Sequence, residues 1–311
     1  MSCNASVLVL TKNEEADLPA CLQSVDWCDD VWILDSGSED QTVQIAISMG
    51  AQVCVRPFDG FASQRNFGLR NIPFKYEWLL ILDADERPTE RLTSSIYRFI
   101  DEASEEVSAG RLRRRDFYMS RWLRHAQISP YFIRLVRHSR VRYEREVNEV
   151  MIVDGDIAPV EGFLDHYPFS KGMSHWLTKH NVYSSMEAAQ MKGTADASFR
   201  TALFHPDFNL RRKHQKVFFY RMPLRPLIKF CYMFFVRRSF LDGRAGINYT
   251  MLQCFYEYMI SLKEREAVES QSMHNRMVAT DEASAIDASS VEDARIAMSS
   301  GQDAHESPFT R

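Results

Sequence analysis

Three short apolar runs, each closing on polar or acidic residues, constrain this chain more than any other feature of its sequence. Ser6–Leu10 (SVLVL), Asp30–Asp35 (DVWILD) and Trp78–Asp83 (WLLILD) are brief and rich in Leu, Ile and Val, which suits strands of a parallel sheet buried on both faces. Between them, Leu18, Cys21, Leu22 and Val25 recur at helical spacing and predict a helix over Glu15–Val25. Ser36-Gly37-Ser38 turns the chain, Ser38 or Asp40 caps a helix to about Met49, and Gly50 ends it. Ala51–Arg56 reads as a further strand, Ala62–Arg70 as a short helix, and Thr89 as the cap of a helix reaching about Ala103. This alternation predicts an α/β fold with a mostly parallel, doubly wound sheet, and ligands bind such sheets beyond the carboxyl ends of the strands.

Three polar clusters occupy those ends: Thr11-Lys12-Asn13-Glu14-Glu15, then Asp35-Ser36-Gly37-Ser38-Glu39-Asp40, then Asp83-Ala84-Asp85-Glu86. Each alone reads equally well as a turn or a helix cap. Together they gather carboxylates along one sheet edge, which is costly unless a cation or hydrogen-bond donors compensate. Asp83 and Asp85 are two apart, so in extended backbone they point the same way and suit a hard divalent ion.

Composition narrows the classes further. A 311-residue chain that is 45 % hydrophobic can bury a substantial core, and a net charge of −4 argues against a nucleic-acid binder. The cysteines (Cys3, Cys21, Cys28, Cys54, Cys231 and Cys254) are scattered without zinc-ligand spacing, as free thiols of a reducing compartment would be. The first ten residues lack the basic start of a secretory signal. No run reaches the ~18 apolar residues of a membrane span; the nearest, Val217–Val236, is broken by Arg221, Pro223, Arg225, Pro226 and Lys229. The expected location is cytoplasmic, peripheral on the inner face of the cell membrane.

The runs VLVLTKNEE (Val7–Glu15), WILDSGSEDQT (Trp32–Thr42), GFASQRNFGL (Gly60–Leu69) and LLILDADE (Leu79–Glu86) resemble family 2 glycosyltransferases of the GT-A, Rossmann-like fold. The chain is similar to the branch holding lipopolysaccharide-core β-glucosyltransferases and exopolysaccharide glycosyltransferases, over roughly residues 5 to 263. The resemblance implies a UDP-type nucleotide-sugar donor, Mg²⁺ or Mn²⁺, and inversion at the anomeric carbon. It implies that Asp35 contacts the base, that Thr11, Asn13 and Glu14 line the nucleotide pocket, and that Arg65 and Asn66 lie near the nucleotide and diphosphate. Asp83 and Asp85 match the D-x-D pair of metal and nucleotide-sugar binding, with Asp85 the more direct metal ligand. His166, in LDHYP, matches a histidine able to approach the metal or diphosphate.

Chemistry explains the need for such parts. The departing diphosphate gathers negative charge that cations stabilise, while a carboxylate on the opposite face takes the acceptor's proton. The stretch RYEREVNEVM (Arg142–Met151) offers Glu144, Glu146 and Glu149. Where relatives carry V-H-E this chain has Val147-Asn148-Glu149, so Glu149 is the candidate base and Asn148 departs from the pattern. In FIRLVRH, Arg134 and Arg137 are candidates to reach the diphosphate or an acidic acceptor.

Farther along, Lys179–Gln190 and Ile247–Lys263 read as helices. Arg200–Arg244 carries eleven Lys or Arg against two acids, interleaved with Phe and Tyr, which suits a membrane surface. From Glu266 the chain is acidic and Ser/Ala-rich and is expected to be disordered. The expected organisation is a catalytic domain over 1–170, a helical, aromatic-basic region over 171–265 and a tail over 266–311. A sugar-1-phosphate nucleotidyltransferase would carry glycine after the first strand, where TKNEE has none. A dinucleotide oxidoreductase would need G-x-G-x-x-G there. A non-catalytic membrane scaffold would have no use for Asp35, Asp83, Asp85 and Glu149 together.

Overall fold

The computed structural model describes residues 4–144, 150–191, 198–206 and 208–300. In chain order the elements are β1 (Ala5–Thr11), α1 (Leu18–Gln23), β2 (Val31–Asp35), α2 (Thr42–Ser48), β3 (Gln52–Val55), α3 (Phe61–Asn71), β4 (Trp78–Asp83), β5 (Glu86–Pro88) and α4 (Glu90–Glu102). There follow β6 (Val107–Tyr118), β7 (Arg121–Trp122), β8 (Tyr131–Arg137), β9 (Val141–Glu144), β10 (Val150–Val153) and β11 (Asp156–His166). The helices α5 (Gly172–Met191), α6 (Phe199–Phe204), α7 (Phe208–Arg221), α8 (Arg225–Cys231) and α9 (Gly243–Ser300) complete the chain.

The main sheet runs β3-β2-β1-β4-β8-β6-β11-β5, and β7 pairs with β6. β1, β2, β3 and β4 are mutually parallel. β8 is antiparallel to both β4 and β6, and β11 is parallel to β6. All six strands β1–β4, β6 and β11 therefore point their carboxyl ends to one edge. Side chains alternate across the sheet, so Val7, Val9, Ile33, Leu80 and Leu82 face α1, α2 and α4, while Leu8, Leu34, Leu79 and Ile81 face α3. Each fully buried leucine contributes about 2 kcal/mol. Gly68 lets α3 lie close on the sheet, since a Cβ there would meet Leu34 and Leu8 methyls at 3.0 and 3.1 Å. Gly162, at φ +100°, lets β11 pass α4, where a Cβ would come 2.7 Å from Leu92 Cα.

The helix signals act as expected. Thr89 Oγ1 accepts from Leu92 N to start α4, and Gly50, at φ +83°, follows α2. Two expectations change. First, α9 continues through the acid-rich stretch as far as Ser300, where the composition had suggested disorder. No Gly or Pro lies between 266 and 300, and Ala, Glu and Met favour helix. Second, the compact units cut the chain elsewhere: one is Met1–His180 with Pro226–Cys254, the other Asn181–Arg225 with Phe255–Arg311. In the first unit, Leu123, Ala126, Met233, Ala245 and Tyr249 form a small core of their own. In the second, Lys263 Nζ bonds Asn181 Oδ1, Ser184 Oγ and Ser185 Oγ, and Lys216 pairs with Glu187.

Candidate active site

Register places the polar strand ends side by side. Thr11 pairs with Asp35 across β1 and β2, Leu10 with Asp83 across β1 and β4, and Asp116 with His166 across β6 and β11. The loops after β1 and β2 are joined along their length. Asp35 is fully buried; its Oδ2 accepts from Gly37 N (2.9 Å) and Ser38 N (2.7 Å), and its Oδ1 from Thr11 Oγ1 (2.8 Å) and Ser38 Oγ (2.5 Å). Those four donors fill the carboxylate's acceptor sites. Beyond it, Asn13 N donates to Ser38 Oγ and Asn13 Oδ1 accepts from Glu39 N, each at 2.8 Å. Glu14 N donates to Thr42 Oγ1, Glu15 N to Asp40 Oδ2, and Gln41 N to Glu15 Oε2. Asn13 sits at φ +54°, in the left-handed region that asparagine tolerates.

Glu14 also reaches the segment after β11. Lys171 Nζ lies 2.6 Å from Glu14 Oε1 and 2.7 Å from Asn13 O, and Ser170 Oγ donates to the buried Asp17. Burial raises the Glu14 carboxyl from 4.5 to about 7, with Lys171 opposing. The folded protein therefore holds a proton there that the unfolded chain has lost, so stability rises as pH falls from about 7 to 4.5. In urea unfolding, Glu14→Gln should lose roughly 2–3 kcal/mol of this pH-dependent gain. An identical slope in both proteins would contradict the assignment.

At the end of β4, two arginines grip one carboxylate. Arg134 Nη2 lies 2.6 Å from Asp83 Oδ2 and 2.7 Å from Glu86 Oε1, while Arg65 Nη2 is 3.3 Å from Asp83 Oδ1. Burial opposes ionisation of Asp83, but Arg134 and Arg65 outweigh it and hold its carboxyl well below the usual range. Glu86 is completely buried, and that burial pushes its carboxyl up despite Arg134.

Next to this clamp, His166 joins two carboxylates. Its Nδ1 is 2.6 Å from Asp116 Oδ1 and its Nε2 is 3.3 Å from Asp85 Oδ2. Burial alone would lower the imidazole, yet Asp116 and Asp85 push it to about 9. Asp85 is held below the usual carboxylate range by His166 against its own burial. Among the described residues no group of three or more His, Cys, Asp or Glu stands ready to hold a metal. Once an ion displaces the Nε2 proton, Asp85 and His166 are nonetheless a donor pair able to hold it, with Asp116 fixing the ring as an outer carboxylate does in metal sites.

The remaining sequence candidates fall elsewhere. Asn66 clamps the Tyr143 backbone, accepting from its N and donating to its O, both at 2.8 Å, so it anchors β9. Arg137 pairs with Glu77 and stacks on Trp78, at the opposite end of β4 from Asp83, away from any diphosphate at the carboxyl edge. Glu144 is exposed in β9 beside Arg142. Glu146, Asn148 and Glu149 lie outside the described residues. The structure adds Glu86, Asp116 and Lys171 to the site. Asp116, like Asp35 and Asp83, lies near a strand's carboxyl end, but its strand, β6, has no apolar run to announce it. A cavity of about 440 Å³ lined by Glu105, Glu106, Arg140 and Asp154–Asp156 opens at the opposite, amino-terminal end of β6 and β11.

The family model Glycosyl transferase family 2 matches residues 6–165, more than half of the chain. A protein of Rhizobium meliloti named lipopolysaccharide core biosynthesis glycosyltransferase LpsC is 26 % identical, covering 86 % of this chain and 94 % of its own. An uncharacterized glycosyltransferase of Rickettsia typhi is also 26 % identical, over 87 % and 92 %. Among solved structures, glucosyl-3-phosphoglycerate synthase from Mycobacterium tuberculosis, in complex with Mn²⁺, UDP-glucose and phosphoglyceric acid, is 22 % identical with a TM-score of 0.31. That match covers 36 % of this chain and 44 % of the synthase, so the chain spans less than half the length of that protein.

Proposed function

Because the chain belongs to glycosyl transferase family 2 and is a glycosyltransferase, we propose that it moves a sugar from a UDP-type nucleotide-sugar, with inversion, onto a saccharide hydroxyl. The proposed acceptor is a lipopolysaccharide-core, exopolysaccharide or other lipid-linked saccharide; the relative named for lipopolysaccharide core biosynthesis, matched over most of both chains, supports this. Family membership sets aside the nucleotidyltransferase and oxidoreductase readings.

The observation that carries the reading is the Asp85–His166 pair beside the arginine-held Asp83, at the carboxyl ends of parallel strands. The two donors stand 3.3 Å apart. Neighbouring positions on a six-coordinate Mg²⁺ or Mn²⁺ are ~3 Å apart, and such ions complete their shell with water and phosphate oxygen. Such an ion, held by Asp85 and His166, would supply positive charge against the departing diphosphate. Asp83 already has both oxygens engaged, so its part is to hold Arg65 and Arg134 at this edge. The joined loops carrying Thr11, Asn13, Glu14 and Asp35 form the nucleotide side, with Asp35 fixing the loop and its backbone amides. Release of UDP from a panel of UDP-sugars by the purified chain, abolished by EDTA, is the expected result. No release with any sugar, supplied with either ion and envelope extract as acceptor, overturns the proposal.

Glu149 is proposed to take the acceptor's proton. Asn66 fixes the Tyr143 backbone of β9, the strand that leads to it. Glu149→Gln should lower turnover by about 10²-fold or more with UDP-sugar affinity unchanged, read by steady-state kinetics and direct titration. Full turnover in that variant removes Glu149 from the role.

Peripheral contact with the inner membrane surface is proposed for the aromatic-basic region. No helix among the described residues is long and apolar enough to cross a membrane. Leu227, Phe235 and Val236 are 56, 64 and 69 % exposed. Exposed apolar side chains beside arginines suit the headgroup layer.

A further inference from the structure

A second polar centre lies in the first compact unit, where the loop following β7 meets the turn between α8 and α9. Asp242 is 2 % exposed, and its carboxylate bonds one short stretch of chain, His125 and Ala126. Its Oδ2 accepts from His125 N (2.8 Å) and Ala126 N (2.7 Å), and its Oδ1 lies 2.7 Å from His125 Nδ1. The carboxylate thereby sets the tautomer and the ring: Nδ1 carries the proton toward Asp242, and Nε2 is presented outward on a side chain 35 % exposed. No hydrogen bond is made by Nε2 among the described residues.

Four arginines lie on the two segments that this histidine and aspartate join. Arg237 Nε donates to His125 O at 3.0 Å, and Arg121 Nη2 donates to Leu241 O at 3.3 Å. Arg124, next in sequence to His125, is exposed and rests on Trp122; Arg238, next to Arg237, is exposed at φ +56°. None of these four arginines has an ion-pair partner among the described residues. Asp242 itself is buried and bonded to His125. The same loop is tied to the transferase edge, because Leu123 N donates to the carbonyl of Asp116 at 2.9 Å, the residue that orients His166.

We propose that Arg121, Arg124, His125, Arg237 and Arg238 form an acceptor-side subsite for a phosphate group. Guanidinium groups with unfilled donors match phosphate oxygens, and the imidazole, held at a fixed angle with its Nε2 lone pair outward, adds a directional contact by accepting from a hydroxyl on the same ligand. The word acceptor rests on the glycosyltransferase reading; the binding of the anion does not. The phosphate belongs either to a phosphorylated saccharide or to a lipid headgroup, and the chemistry of recognition is the same for both.

The test uses the full chain with two probes. Calorimetric titration compares glucose 6-phosphate with glucose, and co-sedimentation compares phosphatidylcholine vesicles with and without phosphatidic acid. Tighter binding of glucose 6-phosphate than of glucose identifies a phosphorylated saccharide; binding only to the acidic vesicles identifies a lipid phosphate. In either case Arg121→Gln and Arg238→Gly should each weaken the interaction by about tenfold, with UDP affinity unchanged. Arg238→Gly removes the charge while easing the left-handed backbone, so its loss of binding is not a loss of fold. Binding of neither probe, or binding indifferent to both substitutions, overturns the proposal. Anion binding that persists in a protein unable to release UDP would count against the transferase reading and leave the subsite standing.

Discussion

Asp85→Asn should reduce turnover by about 10³-fold or more while the protein stays folded, since several kcal/mol of charge stabilisation at the departing diphosphate depend on it. The side chain keeps its volume, and the carbonyl oxygen of asparagine still accepts from His166 Nε2, 3.3 Å away in the native protein. What is lost is the negative charge that would hold a divalent ion beside the diphosphate. The effect should be selective. UDP affinity should fall only when Mg²⁺ or Mn²⁺ is present, and affinity measured in EDTA should match the native protein. Kinetics of UDP release and titrations with and without the ion read these outcomes directly. Near-native turnover in this variant would remove the D-x-D pair from the chemistry.

Arg134→Met should destabilise the fold by about 3–5 kcal/mol, the usual consequence of removing one partner from a buried ionic cluster. Arg134 is 9 % exposed at its side chain and holds Asp83 and Glu86 through one nitrogen. Without it, Glu86, with no exposed surface, keeps the Asp83 backbone N–H at 3.1 Å and, as cation, Arg114 at 3.7 Å. Urea or thermal unfolding should show the loss. Neutralising the acids as well, in Arg134→Met with Asp83→Asn and Glu86→Gln, should restore most of the stability, because a neutral set of similar volume leaves no charge stranded. That triple variant should stay inactive. If the single substitution is nearly silent, the cluster is better hydrated than its burial indicates.

The first third of the molecule was legible in the sequence because β1, β2 and β4 are apolar runs without internal charge. Leu79–Leu82 admits no other reading, and the acids at the strand ends follow from the same runs. β6 was not legible. Its segment L-R-R-R-D looks like solvated surface, yet Arg114 stacks on Phe132 and Arg115 on Trp122 and Phe163, so the stems are covered by aromatic rings. The roles of Glu86, which stands in the acidic cluster after β4, and of Asp116 depend on partners from β8 and β11 that only the sheet order brings near. Arg137 was paired with Arg134 by proximity in sequence, but three residues along a strand reverse the face and move the side chain about 10 Å. The acid-rich end of α9 is helical because Ala, Glu and Met favour helix and no Gly or Pro interrupts the run.

The bonds joining the loops after β1 and β2 have an evolutionary corollary. Ser38 completes the turn around Asp35 and also receives Asn13, and Thr42 serves both Asp40 and Glu14. Neither segment keeps its shape if the other is exchanged, so the two should be inherited as a matched pair. Grafting one of them from a relative with different sugar preference would yield a misshapen hybrid, and engineering of donor choice has to transplant both together.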